Sequence, residues 1–317
     1  MTTPSYRPAL LPHLRPAPDD QAIRPHVRTL RDLWRHAISR LQAAGVSFGH
    51  GTSAACDEAA WLLLWGLHLP LDQLDHVLDA RLSDQEIDSL LQLIARRCDE
   101  RLPSAYLTGE AWLRGLRFLS DARALVPRSP IAELLDTDAL APWLDSDRVH
   151  QVLDLCTGGA SLAIFAALAY PEARIVGADL SAEALSLAAD NVALHAMDER
   201  ITLAQGDLFG AVKGQRFDLI VCNPPYVNGE SMGTLPAEYL HEPQSALAGG
   251  PDGMDLVRRI LQAAPSHLNA DGVLLLEIGH EIEHFEAAFG RLECTWLSSE
   301  AAERQIALIT ADALGAL

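Results

Sequence analysis

The sequence predicts an α/β fold, a mostly parallel sheet with helices on both faces behind a small helical N-terminal domain. Three observations carry that expectation. From about Arg24 to Arg101, apolar residues recur at three- and four-residue steps, the helical period. After His150, short apolar runs alternate with helix-like segments, the pattern of strand, helix, strand, helix. The apolar run Phe217–Cys222 then halts in Asn223-Pro224-Pro225-Tyr226. Two consecutive prolines remove two backbone donors and can neither continue the strand nor begin a regular helix.

The elements follow in order. Residues 1–22 hold Pro4, Pro8, Pro12, Pro16 and Pro18 with few aliphatics, which predicts a flexible or loosely docked arm. Residues 23–102 form the helical domain. Leu30, Leu33, Trp34, Ala37, Ile38 and Leu41 share one stripe, and Gly45 ends it. Thr52 or Ser53 is expected to cap the next helix, with Asp57 and Glu58 in its first turn, favourable to the helix dipole. Ser83 followed by Glu86 is a capping box for a helix running toward Arg97. Residues 103–130 switch to a β-like rhythm broken by Gly115, which predicts a hairpin linker. Residues 131–317 are expected to make the α/β domain. It opens with a helical connector from Ile131 to Trp143. Strands are expected at Val152–Leu155, Arg174–Ala178, Ile201–Ala204, Phe217–Cys222, Val273–Ile278, Glu293–Leu297 and Gln305–Thr310. Helices are expected at Ser161–Ala169, Ala182–His195, Met254–His267 and Ile282–Phe289.

The net charge of −19 is unevenly spread. Residues 1–150 carry 16 basic and 20 acidic side chains, and residues 151–317 carry 8 and 23. An acidic C-terminal half is a poor surface for a phosphate backbone and suits a basic partner. Five dispersed cysteines without a C-x-x-C pair predict reduced thiols in a cytoplasmic protein. The N-terminus has no apolar run of signal-peptide type, and Trp61–Leu69 is too short to cross a bilayer.

In parallel α/β sheets ligands sit at the carboxyl ends of the strands. Four loops at that edge carry suitable residues. The first, Asp154-Leu155-Cys156-Thr157-Gly158-Gly159-Ala160, is glycine-containing and leads into a helix. Asp179 follows about 20 residues beyond it and ends its own strand, the expected place for an acid that binds ribose hydroxyls. In Gly206-Asp207-Leu208 the carboxylate suits an adenine amino group and the leucine its ring. The fourth is the Asn-Pro-Pro-Tyr ledge, where a carboxamide, proline carbonyls and an aromatic face suit a planar –NH2 group. A dinucleotide oxidoreductase accounts for Gly158 and Asp179 but leaves the prolines idle, and Lys213 is the only lysine available for hydride-transfer chemistry. His280-Glu281-Ile282-Glu283-His284 fits H-E-x-x-H. It directly follows a buried strand and has no evident third ligand, so no metal site is expected.

The four loops together resemble those of class I S-adenosylmethionine-dependent methyltransferases, with a seven-stranded sheet, and the double-proline motif resembles that of enzymes acting on planar amide or exocyclic amino nitrogens. The resemblance implies S-adenosylmethionine as cofactor, held by Asp154, Thr157, Gly158, Asp179, Leu180, Asp207, Leu208 and Asn223, with Asp154 orienting its methionine end. Where that family has three glycines, this chain has Cys156, Gly158 and Ala160. The whole chain is similar to the protein-glutamine N(5)-methyltransferases, through Pro103–Glu110, Gly115-Leu116-Arg117-Phe118 and Val126-Pro127-Arg128-Ser129-Pro130-Ile131-Ala132-Glu133. In that family a helical domain, taken here as substrate-recognising, precedes the catalytic sheet. Ser129-Pro130-Ile131-Ala132-Glu133, with Asp57-Glu58-Ala59 and Leu62–Pro70, resembles the branch that methylates the third large-subunit ribosomal protein rather than the release-factor branch. An adenine-amino nucleic-acid methyltransferase is the further alternative, and it normally brings a basic groove.

The catalytic residues implied are Asn223, Pro224 and Tyr226. The Asn223 side-chain oxygen and Pro224 carbonyl each accept one N–H bond, Tyr226 packs on the amide plane and Pro225 stiffens the ledge. Arg128 and Glu242 are expected to contact substrate. Glu242, Gly249, Gly250 and Gly253 lie in a long segment after the ledge, expected as a lid.

Overall fold

The structure, a computed structural model, describes residues 18–300 and 303–316. Most of the expected N-terminal arm therefore lies outside the described residues. Within its last part, Asp20–Ile23 form a short helix whose cap, Asp19, accepts from the backbone N–H groups of Gln21 and Ala22. The chain divides into two compact units. The first runs to Phe48 and resumes at Thr52–Leu102; the second holds Gly49–Gly51 and everything from Pro103 onward.

The first unit is helical. Leu30–Ala44 starts on a reciprocal capping box between Thr29 and Asp32 and ends at Gly45, whose φ is 61°. Asp84–Asp99 starts on the Ser83–Glu86 capping box. Ala55–Gly66 differs from expectation: its cap is Ala54, without a side-chain bond. The Thr52 hydroxyl donates instead to Glu58 at 2.9 Å. With the helix starting at Ala55, Thr52 and Ser53 both lie before the cap position. Leu30, Leu33, Leu41, Leu63, Ile87 and Ile94 close the core between the three helices. Inside it, Arg97 and Glu58 are 1% and 2% exposed and pair at 2.6 Å, and Arg97 also donates to the Ser47 carbonyl at 2.8 Å.

The second unit opens with the short helix Ser104–Thr108, then β1 (Glu110–Leu113) and β2 (Leu116–Leu119), an antiparallel hairpin. Its turn residues Arg114 and Gly115 both have positive φ, the twist that matches a right-handed hairpin. The connector after it is shorter than expected. Helix Ile131–Leu135 stops before the 3-10 turn Asp138–Leu140, because the Thr137 hydroxyl turns back onto the Glu133 carbonyl.

The large sheet contains β3 (Gln151–Leu155), β4 (Arg174–Asp179), β5 (Ile201–Gln205), β6 (Phe217–Cys222), β7 (Leu268–Glu277), β8 (Thr295–Leu297) and β9 (Ile306–Thr310). Its spatial order is β5-β4-β3-β6-β7-β9-β8, and β9 alone runs antiparallel to its neighbours. This is the class I methyltransferase architecture. β7 begins five residues earlier than its apolar run, and its register against β6 shifts between Phe217 and Leu219. Asn269 and Asp271 in that stretch carry no hydrophobic signal, which hid it. A last short helix, Ala311–Gly315, is capped by Thr310 and was likewise too short to read from period.

Side chains of the central strands alternate between two cores. On β6, Leu219 and Val221 enter one, and Ile220 and Cys222 the other. β7 repeats this with Val273 and Leu275 against Leu274 and Leu276. Burial on both faces explains why these strands read as continuous apolar runs. The chain moves outward from β3 through β4 to β5, then returns to place β6 on the other side of β3. The resulting crevice at the carboxyl ends of β3 and β6 is the topological switch point. Among the described residues, no helix is long and apolar enough to cross a membrane.

Replacing Glu58 by alanine leaves the Arg97 guanidinium buried without its partner, so a loss of about 3–5 kcal/mol is expected in urea denaturation. The double variant Glu58→Ala, Arg97→Met should recover most of that loss.

Candidate active site

The register of β3 against β6 builds the site. Leu155 pairs with Cys222, so the two strands end level and the segments that follow, from Cys156 and from Asn223, lie side by side. Leu155 also pairs with Ala178 of β4, and Asp179 with Gln205 of β5, which brings the second and third predicted loops to the same edge.

Asp154 lies one residue inside the end of β3 and is 1% exposed. Its Oδ2 accepts from Thr157 Oγ1 at 2.5 Å and from the Ala163 N–H at 2.9 Å. Its Oδ1 is buried and has no hydrogen-bond partner among the described residues. Burial pushes the carboxyl up to about 7, against the two hydrogen bonds that favour its ionised form. A buried carboxylate oxygen with nothing to accept from is fitted for a cationic or N–H group brought by a ligand. The loop beyond it is a left-handed turn at all three positions where related loops carry glycine: Cys156, Gly158 and Ala160 have φ of 62°, 54° and 65°. The two L-residues hold this geometry at a cost of about 1 kcal/mol each. At Gly158 a β-carbon would meet only the Ala124 side chain, at 3.9 Å, so the turn stays open. Asn191, fully buried, supports the loop from behind. Its amide donates to the carbonyls of Gly159 and Leu119, and its oxygen accepts from the Leu119 N–H at 2.7 Å.

Asp179 accepts from the Gly158 N–H through one oxygen and from the Ser181 N–H through the other, both at 2.9 Å. The glycine loop and the expected ribose acid are thus one hydrogen-bonded piece. Leu180 beside it is 66% exposed, an apolar surface left for a ligand. Asp207 is paired with Arg259 at 2.6 Å and stays half-exposed, while Leu208, with φ of 48°, is buried against the core. The orphaned Asp154 oxygen, the open turn and exposed Leu180 together fit S-adenosylmethionine.

At the ledge, Pro224 and Pro225 are buried and Asn223 is part-exposed. Among the described residues neither the Asn223 carboxamide nor the Pro224 carbonyl has a hydrogen-bond partner. Both acceptors remain available. Tyr226 donates from its hydroxyl to Glu277 Oε1 at 3.0 Å, and Glu277 Oε2 accepts from Ser129 Oγ. Glu277 is 4% exposed and burial pushes its carboxyl up to about 7, with Ser129, Tyr226 and Arg128 acting in the opposite sense. The backbone of Tyr226 is closely packed: a β-carbon on Gly253 would lie 2.2 Å from its carbonyl oxygen.

Arg128 and Glu242, expected to contact substrate, meet each other instead in a two-pronged pair at 2.6 and 2.8 Å. Arg128 lies 5.4 Å from the Tyr239 ring centre. The Glu242 side chain is fully buried and also accepts from the Val126 N–H at 3.0 Å, with His50 Nε2 3.3 Å away. Burial works against its charge, yet His50 and Arg128 hold it down at about 2. It anchors the segment between Asn228 and Gly253 rather than offering an oxygen to a ligand. Glu133 pairs with Arg114 at 3.7 Å, not with Arg128. In the H-E-x-x-H stretch, the helix begins only at Ile282. Glu281 accepts from Asn228 Nδ2 at 2.7 Å and pairs with His284 at 2.5 Å, and His280 lies 3.4 Å from Gln305. Glu281 thus holds Asn228, in the segment that follows the ledge.

Sequence reasoning left Ser129 and Asn191 without a role and placed Glu277 only at the end of a buried strand near the same edge. The single acid in the apolar run Val273–Ile278 was the available signal for Glu277. Asn191 in a helix offered none.

The family model of the methyltransferase small domain matches residues 135–251. Over 292 residues the chain is 59% identical to the ribosomal protein uL3 glutamine methyltransferase of Bordetella pertussis, covering 92% of this chain and 98% of the relative. Identity to the enzyme of the same name from Burkholderia pseudomallei is 53%, covering 92% and 97%. For that of Neisseria gonorrhoeae it is 48%, covering 90% and 95%.

The Glu242 anchor carries a pH signature. Its folded-state pKa, about 2, lies below the ordinary 4.5, so its stabilisation is complete above that ordinary value and is lost as pH falls toward 2. Glu242→Gln is expected to cost about 3 kcal/mol near neutral pH. The gap to the unchanged protein should shrink to less than half by about pH 3, measured by urea denaturation across the series.

Proposed function

We propose that this chain, which belongs to the family of ribosomal protein uL3 glutamine methyltransferases, transfers the methyl group of S-adenosylmethionine to the side-chain amide nitrogen of a glutamine in uL3, a step linked to ribosome assembly. The observation that carries this reading is the ledge. Two acceptors of defined position, the Asn223 carboxamide oxygen and the Pro224 carbonyl, stand without partners beside the cofactor loop. They match the two N–H bonds of a primary amide.

A glutamine amide nitrogen is a poor nucleophile because its lone pair is delocalised into its carbonyl. When bound, S-adenosylmethionine supplies an electrophilic methyl group. Asp154, Thr157 and Gly158 hold its methionine end and Asp179 its ribose, with Leu180, Asp207 and Leu208 about its adenine. Asn223 and Pro224 fix the –NH2 and favour the positive charge that develops on nitrogen. Their main contribution is placement of nitrogen in line with the methyl group. Pro225 stiffens the ledge and Tyr226 gives it an aromatic face. The amide loses its proton after transfer, so no strong base is needed beforehand.

The substrate in this reading is a basic protein, which the 23 acidic against 8 basic side chains of residues 151–317 complement. The helical unit contributes substrate recognition. The reaction belongs to the cytoplasm, with no stable hold on nucleic acid. Arg128 and Glu242 act on the substrate through the segment they anchor.

The test offers labelled S-adenosylmethionine with uL3, a peptide-chain release factor and DNA separately, and locates the label by peptide mass spectrometry. Label on a glutamine of uL3 is expected. Label on the release factor alone would keep the chemistry and overturn the substrate, and label on DNA alone would overturn both.

A further inference from the structure

The carboxylate of Glu277 is the only charged side chain joined directly to the Asn-Pro-Pro-Tyr ledge among the described residues. Each half of it has a separate task. Oε1 accepts from Tyr226 of the ledge at 3.0 Å, and Oε2 accepts from Ser129, which also receives the Ile131 N–H at 3.3 Å. Glu277 therefore ties the ledge to the start of the helix that follows the hairpin. The ring it holds has little alternative. A β-carbon on Gly279 would lie 2.5 Å from the Tyr226 ring, and one on Gly249 would lie 2.7 Å from the Tyr226 backbone. Ring and backbone are thus wedged between two bare glycines, and the hydroxyl end is fixed by one acceptor.

We propose that Glu277 is the positioning residue of the amide-binding ledge, holding Tyr226, and through it the adjoining Asn223-Pro224 acceptors, in the geometry that places the amide nitrogen for transfer. This rests on the glutamine-methylation reading. Glu277 does not touch the amide. Its effect is on the placement of groups that do, where a displacement of about 1 Å can cost a hundredfold in rate. A charged acceptor holds the tyrosine hydroxyl more strongly than a neutral one, so ionisation of Glu277 tightens the ledge. The groups that face it are Tyr226 from the ledge, Arg128 and Ser129 from the segment after the hairpin, and Cys222 from β6. Its register partner on β9 is the apolar Ile306. Arg128 favours the ionised form, and burial opposes it.

The experiment compares Glu277→Ala, Glu277→Gln and Tyr226→Phe with the unchanged enzyme, using uL3 and labelled S-adenosylmethionine for turnover and calorimetry for cofactor binding. Glu277→Ala is expected to lower kcat by about a hundredfold while cofactor Kd stays within about threefold. Glu277→Gln, which keeps only a neutral acceptor for Tyr226, should exceed Glu277→Ala and hold kcat near the reduced level expected of the unchanged enzyme at low pH. Its kcat should also lack the decline expected of the unchanged enzyme as pH falls through about 7. Tyr226→Phe combined with Glu277→Ala should be no worse than the poorer single variant, because both remove one interaction. A kcat within about threefold of the unchanged enzyme for Glu277→Ala, additive effects in the double variant, or an unaltered pH profile for Glu277→Gln would each overturn the proposal. Should Glu277→Ala fail to fold, the Glu277→Gln profile and a cycle of Tyr226→Phe with Ser129→Ala decide between the same two outcomes. Absence of glutamine methylation by the unchanged enzyme would instead sink the functional reading, which the variant ratios do not test.

Discussion

The structure depends on what happens where β6 ends. A parallel strand buried on both faces must satisfy its backbone through its neighbours. β6 does so up to Cys222, paired level with Leu155 of β3. Pro224 and Pro225 then remove two donors together, so the β3–β6 ladder does not continue across them. The strand end is thereby left with acceptors and no internal donors to occupy them. Because β3 and β6 flank the switch point, those acceptors stand beside the loop that begins at Cys156. In the proposed reading, this secondary-structure breaker is the recognition element for N–H groups.

Three buried carboxylates divide that work, and their surroundings set them apart. Glu242 has Arg128 and His50 beside it and stays charged far below neutrality. It is an anchor, and its strength grows with removal of protons. Asp154 and Glu277 have hydrogen-bond donors but no close paired cation, and burial lifts both to about 7. Their contribution to folding has the opposite sign, being fully present at low pH and lost as pH rises through about 7. Such groups are poised to respond to a ligand or a neighbour, whereas Glu242 is not. Asp154 faces the cofactor loop with a free oxygen, and Glu277 faces the ledge.

How much of this was legible in sequence follows from the range of each interaction. The ledge, the Ser83–Glu86 capping box, the central strands and the alternation that gives the sheet are local patterns, and each appears where its residues predict it. The site loops were legible as well, since strand ends in a parallel sheet share one edge. Partnerships across the chain were not. Glu242 meets Arg128 from 114 residues away, Tyr226 meets Glu277 from 51, and Asn191 reaches Leu119 from 72. Nothing in the spacing of these residues marks them as pairs. Thr52 or Ser53 was the expected cap, but the helix begins at Ala55 and Thr52 donates to the buried Glu58. The left-handed turn at Cys156 and Ala160 shows the reverse case, where tertiary structure imposes on L-residues a conformation that sequence alone assigns to glycine.

The most direct measurement of the central claim is turnover and cofactor affinity in Asn223→Ala. The substitution removes one of the two free acceptors and leaves the prolines, the strand pairing and the glycine loop in place. Methyl transfer to uL3 should be abolished while S-adenosylmethionine binding, followed by calorimetry, stays nearly intact. Substantial residual turnover at unchanged cofactor affinity would mean that the ledge does not hold the amide.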